Sequence, residues 1–286
     1  MLTKVVLSVQ QNILPALQYL SADLKEHGVD TVIAADCDIS NIVCMKARAF
    51  SFDEVDKDTL FITDSEAIYR TLRQQGKYVL PYRHEGNGDA GFTGALYVIE
   101  QIDEIDYDTV DMAYRRLAGL PWEILTTKRC IIRETTVEDV DSFYQIYVEP
   151  EITKYMEDLY ADRDEEIAYI RDYQEKVYSF YGYGMWTVLT KDGTVIGRAG
   201  ISWREGFDLP ELGFVIGVLW QRQGYAYEVC SAILAYARKE LGFHKIQALV
   251  MKGNDRSECL CRKLGFQYVE DVIVENEIYS LMVCKE

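Results

Sequence analysis

The chain lacks the features that mark several large protein classes. Its seven cysteines are odd in number and form no CxxC pair, so neither a disulfide framework nor a zinc site is indicated and reduced thiols in a cytoplasmic setting are expected. Long uninterrupted apolar runs are missing. The opening MLTKVVLSVQQNILPALQYL is moderately apolar but has no basic segment leading into a long apolar one, so neither a signal peptide nor a membrane span is expected. Basic charge is scarce: 30 Lys and Arg stand against 47 Asp and Glu, a formal net charge of -17. The deficit is even, -9 over residues 1–125 and -8 over 126–286. Such a field repels nucleic-acid phosphates and anionic membranes, and suits a cationic small molecule or basic peptide. It also serves solubility alone. There are no repeats and no low-complexity segment.

What is present is apolar material in two patterns. Hydrophobic residues make up 49% of 286 residues, enough for one or two domains. Through about residue 120, strand-like runs such as DTVIAAD (30–36), TLFITD (59–64), YVLPYR (78–83) and ALYVIE (95–100) alternate with helical spacings. Helices are expected over 14–28, over 65–76 with Ser65 as cap and Gly76 as stop, and near 107–119. This alternation predicts a small doubly wound α/β domain over residues 1–125. Gly119, Leu120 and Pro121 interrupt it. From residue 126 a second pattern follows: strand CIIRE, two helices to about residue 179, three strands, a helix, strand KIQALVM, helix DRSECLCRKLG and a final strand pair. A second domain is therefore expected over 126–286.

The stretch LWQRQGYAYEV (219–229) carries an Arg and two Gln in an acidic chain. It links ELGFVIGVL to a helical pattern through Gly224. Glycines inside a strand, here Gly213 and Gly217, mark a bulge or the close approach of another backbone. A helix start exposes unpaired N–H groups at the positive end of its dipole, and Gly224 and Ala226 leave room for a ligand against the backbone. Together these make a site for a phosphate or pyrophosphate. A plain strand-to-helix turn accounts for the six residues equally well.

The wider pattern extends this reading. Gln221-Arg222-Gln223-Gly224-Tyr225-Ala226 matches the R/Q-x-x-G-x-G/A motif of the GNAT superfamily of acetyl-CoA-dependent N-acyltransferases. ELGFVI before it and GNDRSECLCRKLGF (253–266) after it resemble the branch of ribosomal-protein N-terminal acetyltransferases. The resemblance covers just over half the chain and implies an α+β fold, with a mixed sheet and a bulged central strand. It further implies an amine attacking the thioester of acetyl-CoA directly. Gln221, Arg222, Gln223, Gly224, Tyr225, Ala226 and Tyr227 would hold the pyrophosphate. Phe214, Val215 and Ile216 would pair with pantetheine, and Asn254 would bond its arm. Ser257 is the matching candidate for protonating the leaving thiolate, a role tyrosines fill in other branches. Glu211 is the candidate base for the ammonium. A surface hydroxyl and a strand-edge carboxylate are the plain alternatives.

Aromatic residues mark a region for the acceptor. Tyr155, Glu157, Tyr181, Tyr183 and Trp186 would form an apolar wall with an acidic rim, holding an amine by cation–π contact. Core packing is the alternative for each. The expected acceptor is a small-molecule amine or a peptide N-terminus; the sequence leaves the oligomeric state open.

In the first domain, Asp36-x-Asp38 follows an apolar run, the shape of the nucleophile motif in haloacid-dehalogenase-like (HAD-like) phosphatases. TLFITDSEAIYRTLRQQGKYVLPYR resembles the last strand–helix–strand of such domains, with Asp64 at the metal-binding place. The middle Thr/Ser and Lys motifs are missing, and HEGNGDAG (84–91) reads as a turn. The resemblance is to a degenerate HAD-like domain, expected to be non-catalytic and to bind no metal. Two alternatives remain beside the enzyme: an acyl-CoA-binding sensor without turnover, and a bifunctional protein with phosphatase activity.

Overall fold

The computed structural model describes residues 1–34, 57–156 and 158–285. Asp36, Asp38 and Glu157 lie outside the described residues, as do Cys37 and Cys44. The chain divides into two compact units, Met1–Leu120 and Pro121–Glu286. The boundary falls five residues earlier than 125/126, because Glu123–Thr126 pairs antiparallel with Cys130–Arg133 and so belongs to the second sheet.

The described part of the first unit is a parallel sheet of β1 (Lys4–Ser8), β2 (Asp30–Ile33), β3 (Thr59–Thr63) and β4 (Tyr78–Pro81), ordered β2-β1-β3-β4. Strand alternation sends successive side chains to opposite faces. Val5, Leu7, Leu60 and Ile62 pack on one face with Leu20 and Leu24 of α1 (Gln18–Glu26) and Val110 and Tyr114 of α3 (Tyr107–Leu117). Val6 and Phe61 pack on the other with Ile68, Tyr69 and Leu72 of α2 (Glu66–Gln74). Ser65 caps α2, accepting a hydrogen bond from the Ile68 amide. Residues 95–100 form no strand; Ile99 makes an isolated bridge to Tyr82. The loop from residue 84 is a single 3-10 turn, Glu85–Asn87.

The second unit is built on one mixed sheet of β5 (Glu123–Thr126), β6 (Cys130–Arg133), β7 (Met185–Thr190), β8 (Val195–Ser202), β9 (Glu211–Ile216), β10 (Lys245–Met251), β11 (Gln267–Val274) and β12 (Glu277–Lys285). Their order is β11-β12-β10-β9-β8-β7-β6-β5. On one face lie α4 (Val140–Tyr147), α5 (Pro150–Thr153) and α6 (Arg163–Tyr173), the last running through a π turn to Tyr181. On the other lie α7 (Tyr225–Lys239) and α8 (Asp255–Lys263), whose Val229, Cys230, Ile233, Ala237 and Cys261 enter the main core. Asp139 anchors the first face: it takes two hydrogen bonds from Arg133, at 2.8 and 2.7 Å, and one from Thr187 at 2.8 Å.

The strand pair that matters for function is β9 and β10. They run parallel and share one register pair, Glu211 with Gln247. Beyond it they diverge, while β9 stays paired with β8 along its whole length without a register shift. On its β8 side β9 therefore has no bulge. Its glycines answer to close approach instead: a Cβ on Gly213 would lie 2.9 Å from the Met185 sulfur, and one on Gly217 would lie 3.3 Å from Ile146.

Candidate functional site

The divergence of β9 and β10 opens a cleft, and strand geometry decides which atoms line it. The Pro210 carbonyl accepts from the Gln247 amide, on the β10 side. The Gly217 amide donates to Ile196, on the β8 side. With a period of two, the backbone of Leu212, Phe214 and Ile216 faces the cleft, while that of Glu211, Gly213 and Val215 bonds to β8. Phe214 and Ile216 thus present groups there, and the Ile216 carbonyl accepts from the Gln221 side chain at 2.9 Å. Val215 does not: its backbone pairs with Arg198, and its side chain is buried against α4.

The cleft leads to the N-terminus of α7. A 3-10 turn, Val218–Trp220, precedes it, followed by Arg222 at φ 59° and Gly224 at φ 83°. The left-handed glycine lets the helix start abruptly at Tyr225, without a side-chain cap. The first intrahelical amide bond is that of Glu228 to the Gly224 carbonyl. The amides of Tyr225, Ala226 and Tyr227 therefore have no partner within the helix. Arg222 and Gln223 are exposed beside them, and Gln223 reaches back to the Leu219 carbonyl.

A second arginine joins this helix start from far away in sequence. Arg129 Nη1 donates to the Gln223 carbonyl at 3.0 Å, its guanidinium lies 4.0 Å from the Tyr225 ring centroid, and its Nη2 is the nearest atom to a Cβ built on Gly224. Glu228, in the first turn of α7, fixes it through Nε at 2.7 Å and the backbone amide at 2.8 Å, and also accepts from Thr127. Burial works against the charged form of Glu228, but the hydrogen bonds from Arg129 and Thr127 outweigh it and hold the carboxyl below its ordinary pKa. Nothing in the local sequence TTKRC marks Arg129, because its partners lie about a hundred residues away.

Glu211 stands where β9 and β10 part. It is 6% exposed, and Arg204 clasps both its oxygens, Nε to Oε2 at 2.8 Å and Nη2 to Oε1 at 3.3 Å. Across the cleft, Asn254 caps α8 by accepting from the Ser257 amide at 3.2 Å. This engages the amide oxygen and leaves its NH2 group as the part able to bond a ligand. Ser257 is half-buried in the first turn of α8. Tyr155 donates to the Gly253 carbonyl at 2.9 Å, which brings a phenol to the same helix start. Arg256 bridges Glu151 and Gln221 at 2.6 and 3.2 Å.

The proposed aromatic wall divides. Tyr181 and Tyr183 are neighbours, with centroids 5.8 Å apart, and Tyr183 continues to Phe243 and to Trp203, whose indole N–H donates to its hydroxyl at 2.5 Å. Phe243 precedes β10 and Gly253 follows it, so this cluster and Tyr155 are separated by the length of seven residues, roughly 20 Å of strand. Trp186 is no part of a wall. It is fully buried in the main core, edge-on to Tyr236 of α7. Its place on β7 faces α7, away from solvent. Among the described residues no group of three or more His, Cys, Asp or Glu could hold a metal ion, and no helix is long and apolar enough to cross a membrane.

Comparison with known proteins agrees with this architecture. Residues 129–267 match the acetyltransferase (GNAT) domain family. The chain is 27% identical over 144 residues to the uncharacterized N-acetyltransferase YnaD of Bacillus subtilis, covering 50% of this chain and 82% of that protein. It is 28% identical over 172 residues to the ribosomal protein uS5-alanine N-acetyltransferase of Escherichia coli, covering 55% and 86%. The structure of a ribosomal L7/L12 alpha-N-protein acetyltransferase shares the fold at 10% identity, with a TM-score of 0.50 over 58% of this chain and 96% of that one. The second unit accordingly carries a match to the GNAT acetyltransferase domain, with relatives among the ribosomal-protein acetyltransferases, and the protein is an enzyme of the N-acetyltransferase class.

Proposed function

We propose that the protein transfers an acetyl group from acetyl-CoA to a primary amine by direct attack, in the cleft between β9 and β10. The observation that carries this reading is the single register pair between those strands, with an uncapped helix N-terminus at the open end. The amides of Tyr225, Ala226 and Tyr227, with Arg222, Gln223 and Arg129 beside them, suit the pyrophosphate. The cleft-facing backbone of Phe214 and Ile216 and the Asn254 amide suit the pantetheine arm.

Two proton transfers then need side chains. An alkyl ammonium with pKa near ~10 loses its proton before attack, and a thiolate of conjugate pKa roughly 8.5 gains one on leaving. Glu211 accepts the first, through water, with Arg204 fixing its orientation. Ser257 donates the second. The free N–H at the diverging end of β9 polarises the carbonyl as charge builds on its oxygen. A cytoplasmic location and a small-molecule amine or peptide N-terminus as acceptor fit the acidic surface. The test is release of free thiol from acetyl-CoA with an amine panel. An acyl-CoA sensor would bind acetyl-CoA and release none.

The HAD-like N-terminal unit is read as non-catalytic. Asp64, 6% exposed, accepts from the Gln10 amide at 3.1 Å and lies 3.3 Å from His84 Nε2. Mg2+-dependent phosphatase activity lost in Asp36→Asn would overturn this and establish the bifunctional alternative.

A further inference from the structure

The sheet face carrying α4 and α6 holds a buried cation. Arg198 of β8 is 9% exposed, and its guanidinium lies 4.8 Å from the centroid of the Phe143 ring on α4. The titratable groups around it are tyrosines: Tyr147, Tyr169, Tyr173 and Tyr178. Its Nε is enclosed and has no hydrogen-bond partner. The Tyr147 hydroxyl lies beside the guanidinium, and neither Nη is among the enclosed atoms without a partner.

Arg133 meets Asp139 at 2.7 Å and Arg115 meets Asp111 at 2.6 Å, while Arg238, whose Nε is likewise enclosed without a partner, bonds the Cys284 sulfur at 3.0 Å. Among the described residues none forms an ion pair with Arg198. Glu166, buried on α6, gives one oxygen to the Tyr160 amide at 3.2 Å, and its other oxygen is enclosed without a partner. A guanidinium taken out of water without a counter-charge is costly, and buried charges are as a rule paired. A ligand group would supply the counter-charge that the described residues do not.

Its place in the fold says which ligand. Arg198 is in register with Val215 of β9, the neighbour of Phe214, whose backbone faces the cleft. Adjacent strands lie ~4.8 Å apart. Arg198 is thus one strand from the cleft, on the face opposite α7 and the helix start assigned to acetyl-CoA. We propose that Arg198, with the Tyr147 hydroxyl beside it, is the anion-recognition element of the acceptor site, and that the acceptor is an amine that also carries a carboxylate, as an amino acid does. A planar carboxylate matches the guanidinium fork with two parallel hydrogen bonds. The acidic surface then acts on the ammonium and Arg198 on the acid. This inference rests on the reading of the β9–β10 cleft as the site of acetyl transfer.

The experiment pairs acceptors of one carbon skeleton: α- and ω-amino acids, their amides, and the parent amines without carboxylate. Thiol release gives kcat/KM for each. The expected result is at least a tenfold preference for the carboxylate-bearing member. In Arg198→Gln that ratio falls to near one, through KM for the carboxylate acceptor, while acetyl-CoA affinity by calorimetry stays within twofold. Arg198→Lys keeps the charge and loses the fork; its ratio falls at least threefold with a melting temperature near wild type, so the test survives if the Gln variant fails to fold. Equal use of amides and amino acids by the wild type, or a preference that persists in both variants, overturns the inference and leaves acetyl transfer standing. Thiol release with no member of the panel would overturn acetyl transfer, and this inference with it.

Discussion

Arg129 and Glu228 are joined by two hydrogen bonds, backbone amide to Oε1 at 2.8 Å and Nε to Oε2 at 2.7 Å, and the pair sets a guanidinium beside Gly224 at the start of α7. The helix start thereby gains a fixed positive charge that the motif Gln221–Ala226 does not contain. Arg129→Ala is expected to raise the Kd for acetyl-CoA roughly tenfold, the scale of one charge-assisted contact, with a smaller change in kcat. Calorimetry with acetyl-CoA measures this. An unchanged Kd would restrict Arg129 to holding α7.

The same pair predicts a pH dependence of stability. The folded carboxyl of Glu228 lies below its unfolded value. Its contribution is therefore complete above the unfolded pKa, about 4.3, and is lost as pH falls through the folded one. The melting-temperature advantage of wild type over Glu228→Gln should hold steady from pH 7 to about pH 5 and shrink below that. An advantage that grows on acidification has the wrong sign for this assignment.

Glu211→Gln is isosteric and keeps one hydrogen-bond acceptor for Arg204. If Glu211 is the base, kcat falls by about a hundredfold, the lower range for a positioned base, and acetyl-CoA affinity hardly moves. Turnover unchanged at saturating amine removes Glu211 from the mechanism and leaves it as the partner of Arg204.

Two hydroxyls compete for the acid role at the start of α8. Ser257→Ala should lower kcat at neutral pH by roughly a hundredfold, while Tyr155→Phe, whose hydroxyl already donates to Gly253, should have a small effect. The reverse ranking in steady-state kinetics transfers the role to Tyr155.

Trp186 tests the division between wall and core. As a core residue, Trp186→Ala should cost about 3–5 kcal/mol in denaturant unfolding. Trp186→Phe should lose less and leave the acceptor KM unchanged. A KM effect without loss of stability would return Trp186 to the acceptor site.

These tests also mark how far the sequence could be read. The spacing of MWTVLTK, TVIGRAGIS, ELGFVIG and KIQALVM placed four strands of the second unit, because alternation and β-branched content agree locally there. β1 was not legible as the central strand of the first sheet, since KVVLS sits in a segment without turn signals. Gly213 carried an ambiguous signal, bulge or close approach, and only the packing of Met185 resolves it. Trp186 reads as part of a wall in the sequence because aromatic clustering does not say which face of a strand points inward. Arg129, Arg198 and Arg204 were beyond reach for another reason. What distinguishes each is a partner, or the lack of one, that the fold alone brings near.

The central claim is acetyl transfer to an amine in the β9–β10 cleft. Its most direct test is free-thiol release from acetyl-CoA across an amine panel, with mass spectrometry of the products. The account predicts thiol release that depends on the amine, a product heavier by one acetyl group, and strong loss of both in Glu211→Gln. Tight acetyl-CoA binding without amine-dependent thiol release would contradict it.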